Sequence, residues 1–406
     1  MSAKPTKPWR RLLAALAVPL VVLVLLRTFV ARAYRVTTAS MEPTILGQAG
    51  EDGEDFDGER VLVTFGVGEL ARYDLVVVDR EGSAPFVKRI GGLPGESVRI
   101  LDGDLLIDGQ RLAADAPRPA PIELFDSRVD DVSEHFHFRH VPEGAWKLRE
   151  DGTLHLSGAE IQPGSDAGML LLHKELRDGY RRHDGSLDPG VHPVGDGGLE
   201  VAFRLGDEAT TLRARLVEEG DLFELSLAPR PAEELAEGIL GSHEFVLRRD
   251  PGGEELVRVP VDPPTGPDAP WLALSFENRD NHLRVSLVDE TGDELLAVTA
   301  TYSTNRPYNG ILPADRSSVA PRVAVGGEGG SLTLGRIRVT RDLHFLSLGT
   351  HATDRALDLG PDEYLLLGDN SADSADGRIW GPVRAESLIG RPRAVVSPRD
   401  RWRVLR

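Results

Sequence analysis

Hydrophobic and polar positions divide the chain into three textures. The first is one unbroken apolar run of fifteen residues, Leu12–Leu26, behind Lys4, Lys7, Arg10 and Arg11. A spanning helix needs about 20 residues. Continuing through Arg27-Thr28-Phe29-Val30 to Ala33 supplies 22, provided that Arg27 snorkels to the interface. The second texture is a set of short β-branched runs bounded by turn residues, Val61–Val63 and Leu75–Val78 among them. Val98–Ile100 and Leu105–Ile107 flank Asp102-Gly103, which predicts a tight hairpin. The third texture runs from about Leu112 to Leu359. Alternating segments such as Leu222–Leu227, Leu283–Leu287 and Leu332–Val339 are separated there by Pro- and Gly-rich connectors. Period two with turns between predicts antiparallel sheets with one wet face, a sandwich or jelly roll. Helical patterns are scarce, Pro231–Ile239 being the best short one.

Charge sharpens this division. The chain of 406 residues carries a formal charge of −18, yet residues 1–35 hold seven Lys/Arg and no acid. The remainder carries 40 basic against 65 acidic side chains, a charge of −25. A body that acidic repels phosphate backbones, which argues against nucleic acid as a partner. The chain has no cysteine, so disulfides, thiolate metal sites and a cysteine nucleophile are excluded.

Basic residues before a long apolar run and an acidic body after it predict a membrane anchor over 12–33. The basic tail 1–11 is then cytoplasmic and the body lies outside. A cleavable signal peptide is the competing reading, since Ala31-Arg32-Ala33 offers small residues at −3 and −1. Arg27 and Arg32 stand where such a peptide is usually uncharged, which favours an uncleaved anchor. The acidic stretch Glu51–Glu59 lacks calcium-loop spacing and reads as a solvated loop. His135 and His137 share one face if their segment is a strand, with His140 nearby. A zinc site would need a third ligand from the fold, and a polar strand face is the plainer reading. No metal and no cofactor is expected.

Four segments combine reactive residues with turn formers: Thr38-Ala39-Ser40-Met41-Glu42-Pro43-Thr44, Arg72–Val78, Phe86–Glu96 and Gly368–Gly381. Pro43 biases Glu42 away from helix, so Ser40 sits beside a rigid turn. Singly, each has a dull explanation: a serine before Met-x-Pro is usually a turn residue, and a lysine on a strand usually faces solvent.

In order and behind an apolar anchor, these segments resemble bacterial type I signal peptidases, membrane-anchored serine proteases with a Ser/Lys dyad. The likeness rests on Ser40-Met41-Glu42-Pro43-Thr44, on Lys88-Arg89…Gly92-Leu93-Pro94-Gly95, and on Gly368-Asp369-Asn370…Ser374-x-Asp376-x-Arg378-x-Trp380-Gly381. It covers about 1–112 and 360–395. The resemblance implies Ser40 as nucleophile and Lys88 as general base. It implies Thr38 as an aid to the oxyanion hole and Ser374 as the hydroxyl that positions the lysine. Asp376 and Arg378 correspond to a bracing pair, and Asp369 and Asn370 to the turn beneath the site. Ser371 and Gly377 depart from the Arg and Ser frequent in the family, which weakens local support there.

The fold implied is mainly β: one N-terminal transmembrane helix and a signal-peptidase-type β catalytic domain, 34–112 with 360–406. A β-sandwich-like insertion, 113–359, interrupts it, and its Val323–Val339 end resembles the final hairpin of a concanavalin-type sandwich. The function implied is endoproteolytic removal of signal peptides from exported preproteins at the outer face of the cell membrane. The bilayer and the protein translocation machinery are the further partners. Two alternatives stay open: a Ser/Lys self-cleaving regulator, and an anchored binding module with a degenerate peptidase part.

Overall fold

The computed structural model describes residues 31–48, 56–80, 84–137, 145–157, 161, 168–172, 175–218, 220–231, 233, 241–303 and 322–405. They form two compact units. One comprises the described part of Met1–Ile100 with Leu105–Gln110 and Leu348–Arg406, the other Leu101–Asp104 and Arg111–Ser347. Both are built from antiparallel strands, so the mainly β reading with a large β insertion holds.

In the first unit an eight-stranded sheet orders its strands Ala31–Arg35, Arg60–Phe65, Leu388–Ser397, Leu75–Val78, Phe86–Gly92, Glu363–Leu367, Val383–Arg384, with Arg403–Val404 also paired to Leu388–Ser397. The Leu75–Val78 strand is buried at all four positions because both its faces are covered. Period two sorts its side chains: Leu75 and Val77 join a cluster with Met41, Ile45, Val61, Val63 and Val87. Val76 and Val78 join another with Ile90 and Leu366. Strands from distant parts of the sequence therefore meet, since Glu363–Leu367 pairs with Phe86–Gly92.

The second unit is a two-sheet sandwich. Its eight-stranded sheet centres on Ser331–Arg341, Gly197–Leu205, Leu272–Arg279 and His282–Asp289. Its seven-stranded sheet centres on His243–Asp250, Asp221–Pro229, Thr211–Glu218 and Arg322–Glu328. Inward positions of both sheets, among them Phe203, Phe223, Phe245 and Phe276, make one continuous core.

Several expectations need correction. The apolar run Leu12–Leu26 lies outside the described residues, and Ala31–Arg35, the first described segment, is a strand paired with Arg60–Phe65. No helix among the described residues is long and apolar enough to cross a membrane. Arg322–Glu328 and Ser331–Arg341 are not a hydrogen-bonded hairpin: they lie in different sheets, and the connection between them crosses the sandwich. His135 ends a helical turn, Val132–His135, capped by the Asp131 side chain on Ser133 N; its ring packs 5.1 Å from that of Phe125. Pro231–Ile239 falls almost wholly outside the described residues, as do Glu51–Asp55 and His140. The hairpin at Asp102-Gly103 is present, with φ of 56° and 94° at the two turn residues, the left-handed pair such a turn requires.

Candidate active site

Ser40 sits in the single turn Ala39–Met41, which Glu42 ends in extended conformation (φ −67°, ψ 143°), as its place before Pro43 dictates. Met41 is 1% exposed and anchors the turn in the core, leaving Ser40 with 8% exposure. The Ser40 hydroxyl shares a 3.1 Å hydrogen bond with Thr38 Oγ1.

Lys88 comes from the middle of Phe86–Gly92, opposite Val76 on the neighbouring strand, and is only 2% exposed. Its Nζ donates to Ser374 Oγ at 3.0 Å and lies 5.8 Å from the centre of the Phe86 ring. Burial lowers its pKa to about 8; Asp376 and Asp369 oppose that fall, and Arg378 reinforces it. No hydrogen bond joins Lys88 Nζ to Ser40 Oγ. Both residues line one cleft of about 500 Å³ with Tyr34, Val36, Phe86, Ala375 and Trp380.

The segment from Gly368 to Arg378 frames the cleft. Asn370 N donates to Ser40 O at 3.2 Å, which ties this segment to the serine turn. A Cβ on Gly368 would fall 2.1 Å from Ser374 Oγ and 2.5 Å from Ser40 O, so only glycine lets the two approach. Asp376 accepts from Gly368 N at 2.9 Å and from Arg378 N, Nε and Nη2 at 3.1, 2.9 and 2.8 Å. Burial works to raise the Asp376 carboxyl, but the Arg378 guanidinium and these amides hold it below the usual carboxylate range. Arg378 also donates to Ser371 Oγ at 2.5 Å and Ser371 O at 2.7 Å. Ser371 is thus an integral partner of Arg378. Gly377 is equally fitted, since a Cβ there would meet Leu365 Cδ1 at 2.6 Å and Leu366 O at 2.7 Å.

All eight residues singled out in the sequence therefore belong to this one unit, and the geometry links Ser40 with Thr38 and Asn370, Lys88 with Ser374, and Asp376 with Arg378. One participant was missed. Arg89 makes a two-point ion pair with Asp369, at 2.7 and 2.6 Å, with side chains 3% and 0% exposed. It also donates to Tyr73 O and Thr44 Oγ1. The signal was its place beside Lys88: neighbours on a strand face opposite sides, so a second buried charge needs a counter-ion.

Against known proteins, residues 9–150 and 333–397 match the family described as signal peptidase, peptidase S26. The chain is 35% identical over 103 residues to Signal peptidase I of Bacillus licheniformis, a stretch covering 24% of this chain and 50% of that one. It is 36% identical over 103 residues to Signal peptidase I T of Bacillus subtilis (strain 168), covering 24% and 48%. The chain thus spans about half the length of these curated relatives. Among solved structures, lectin II from Ulex europaeus covers 49% of this chain and 90% of its own, at 12% identity and a TM-score of 0.31. That likeness is too low to assign the insertion to a concanavalin-type family.

Proposed function

Because the chain belongs to the signal peptidase S26 family, we propose that it removes signal peptides from exported preproteins, with Ser40 as nucleophile and Lys88 as general base. The observation that carries this reading is the state of Lys88: buried, held by Ser374 Oγ at 3.0 Å, and lowered to a pKa of about 8. A lysine accepts a proton only when neutral. At its ordinary pKa of about 10.4 well under 1% would be neutral at pH 7, whereas a pKa near 8 leaves about 10% ready.

The chemistry follows acyl transfer. Lys88 takes the Ser40 proton as Oγ attacks the scissile carbonyl of an extended peptide in the cleft. Developing charge on the carbonyl oxygen is met by the Ser40 N–H with help from the Thr38 hydroxyl. The Lys88 ammonium then protonates the leaving amine, and an acyl-enzyme remains on Ser40. Neutral again, Lys88 activates a water that releases the signal peptide and regenerates the serine. Catalytic hydrogen bonds often tighten only with substrate bound, so the missing Lys88–Ser40 bond is compatible with this sequence. Ser374 orients the amine, while Asp369, Asn370, Asp376 and Arg378 hold the frame. Small substrate residues at −3 and −1 would suit the shallow apolar walls.

This reading includes a single-pass protein at the cell membrane, its basic tail cytoplasmic and its catalytic unit outside, near the translocation machinery. Support comes from the apolar run Leu12–Leu26, which ends eleven residues before the Thr38–Thr44 segment begins. The catalytic domain is proposed as 34–112 with 360–406, and the insertion as 113–359. Incubation of a preprotein with detergent-solubilised protein tests the proposal: wild type yields the mature product and Ser40→Ala does not. Equal cleavage by Ser40→Ala would reject it.

A further inference from the structure

The sandwich unit gathers carboxylates out of water. Asp104, Asp196 and Asp280 are 6%, 8% and 5% exposed, and one carboxylate oxygen from each lies within 4.8 Å of the others. Local structure delivers them. Asp104 follows the Asp102-Gly103 turn, Asp196 precedes the Gly197–Leu205 strand, and Asp280 sits with Asn281 in the turn joining Leu272–Arg279 to His282–Asp289. Glu218 and Asp342, also buried, act on Asp196 electrostatically. Three guanidiniums answer these five carboxylates. Arg111 pairs with Asp104, Arg118 Nε lies 2.6 Å from Asp280 Oδ2, and Arg279 stands 4.0 Å from Asp342.

Acidic clusters are common without a ligand, so a separate observation has to decide. Asp196 Oδ1 and Asn281 Oδ1 are both buried with no hydrogen-bond partner, on side chains more than nine-tenths buried. Both atoms are acceptors, so neither satisfies the other, and each needs a donor or a cation. Arg111 and Arg118 approach the Oδ2 atoms of Asp104 and Asp280.

We propose that Asp104, Asp196, Asp280 and Asn281 bind one divalent cation of the calcium class. The donors are all hard oxygens, which suits calcium and disfavours zinc or copper. The three carboxylate oxygens, all within 4.8 Å of one another, are close enough to share one ion, and an all-protein oxygen cage suits calcium better than magnesium, which usually keeps several waters. One ion would tie the Asp102–Asp104 segment, the lead into Gly197–Leu205 and the Asp280-Asn281 turn together.

The test is read in binding and melting, not in peptide cleavage, so it stands apart from the Ser40/Lys88 reading. Full-length protein is stripped with chelator and titrated with calcium by calorimetry, with magnesium in parallel. The wild type should bind one calcium per chain, more tightly than magnesium, and its melting temperature should rise with calcium. Asp196→Asn and Asp280→Asn should each weaken calcium binding at least about tenfold. Asp196→Asn should nevertheless melt in chelator at or above the wild type, because it removes a buried like charge. That opposite response separates a lost ligand from a damaged fold. No saturable binding by the wild type up to about 5 mM calcium would overturn the proposal. So would wild-type calcium affinity in both variants.

Discussion

Lys88 Nζ donates to Ser374 Oγ at 3.0 Å across 286 residues of sequence. This bond fixes the amine at the wall of the cleft that Ser40 lines, and the two hydroxyl-bearing segments are themselves joined by Asn370 N on Ser40 O.

Removing each end of that bond should have unequal effects. Lys88→Ala eliminates the proposed base, and general-base proton transfer is worth about 10²–10⁴-fold. Ser374→Ala keeps the base and loosens its aim, so kcat should fall roughly 10- to 100-fold. Steady-state cleavage of a preprotein by both variants checks the order. A Ser374→Ala enzyme as slow as Lys88→Ala would give Ser374 a larger role than positioning.

The buried lysine also has a stability signature. Above pH 8 the folded chain has released a proton that the unfolded chain keeps until about pH 10.4. Stability should therefore rise with pH across that window, and below pH 8 the folded state bears the full cost of the charge, about 3 kcal/mol. Lys88→Met should be inactive yet more stable than wild type at pH 7 by up to about 3 kcal/mol, the advantage shrinking as pH rises past 8. Denaturant unfolding at pH 7 and pH 9.5 measures both. A Lys88→Met protein less stable at pH 7 would mean the ammonium is well accommodated.

Arg89 and Asp369 form an ion pair in the frame of the site that is shielded from water, 3% and 0% exposed. Breaking a buried pair strands the surviving charge and costs about 3–5 kcal/mol. Arg89→Ala should lower unfolding free energy by that amount, visible as a reduced urea midpoint at unchanged slope. A loss below about 1 kcal/mol would show that water reaches Asp369 readily.

The sequence made some of this legible and hid the rest for identifiable reasons. Leu75–Val78 was visible because β-branched runs and a two-residue period are local properties. Asp102-Gly103 was visible because few residues tolerate the left-handed turn. The family was legible through the order of the segments that hold Ser40, Lys88 and Ser374. The Arg89–Asp369 pair was not, since it joins residues 280 apart and no spacing encodes it. Sheet membership in the insertion was equally hidden: Arg322–Glu328 and Ser331–Arg341 look like a hairpin because only a short turn separates them, yet each alternation is satisfied by a different sheet. His135 looked extended until the Asp131 cap turned its segment into a helix.

Gly377 illustrates how a departure from a family pattern is absorbed locally. Restoring the serine frequent there would place a Cβ 2.6 Å from Leu365 Cδ1 and 2.7 Å from Leu366 O. Gly377→Ser should therefore destabilise the protein by about 1–3 kcal/mol, as overpacking does. Thermal melting checks this, and an unchanged or raised midpoint would show that the Glu363–Leu367 strand yields easily.

The central claim is that a neutral lysine, not a positive charge, activates Ser40. Arginine keeps the charge and much of the volume of Lys88 but stays protonated in proteins. The decisive measurement is preprotein cleavage against pH for wild type and Lys88→Arg. Wild-type kcat/KM should rise with pH through an apparent pKa near 8, and Lys88→Arg should show no turnover at any pH. Substantial cleavage by Lys88→Arg, or a wild-type profile flat between pH 6 and pH 10, would contradict the account.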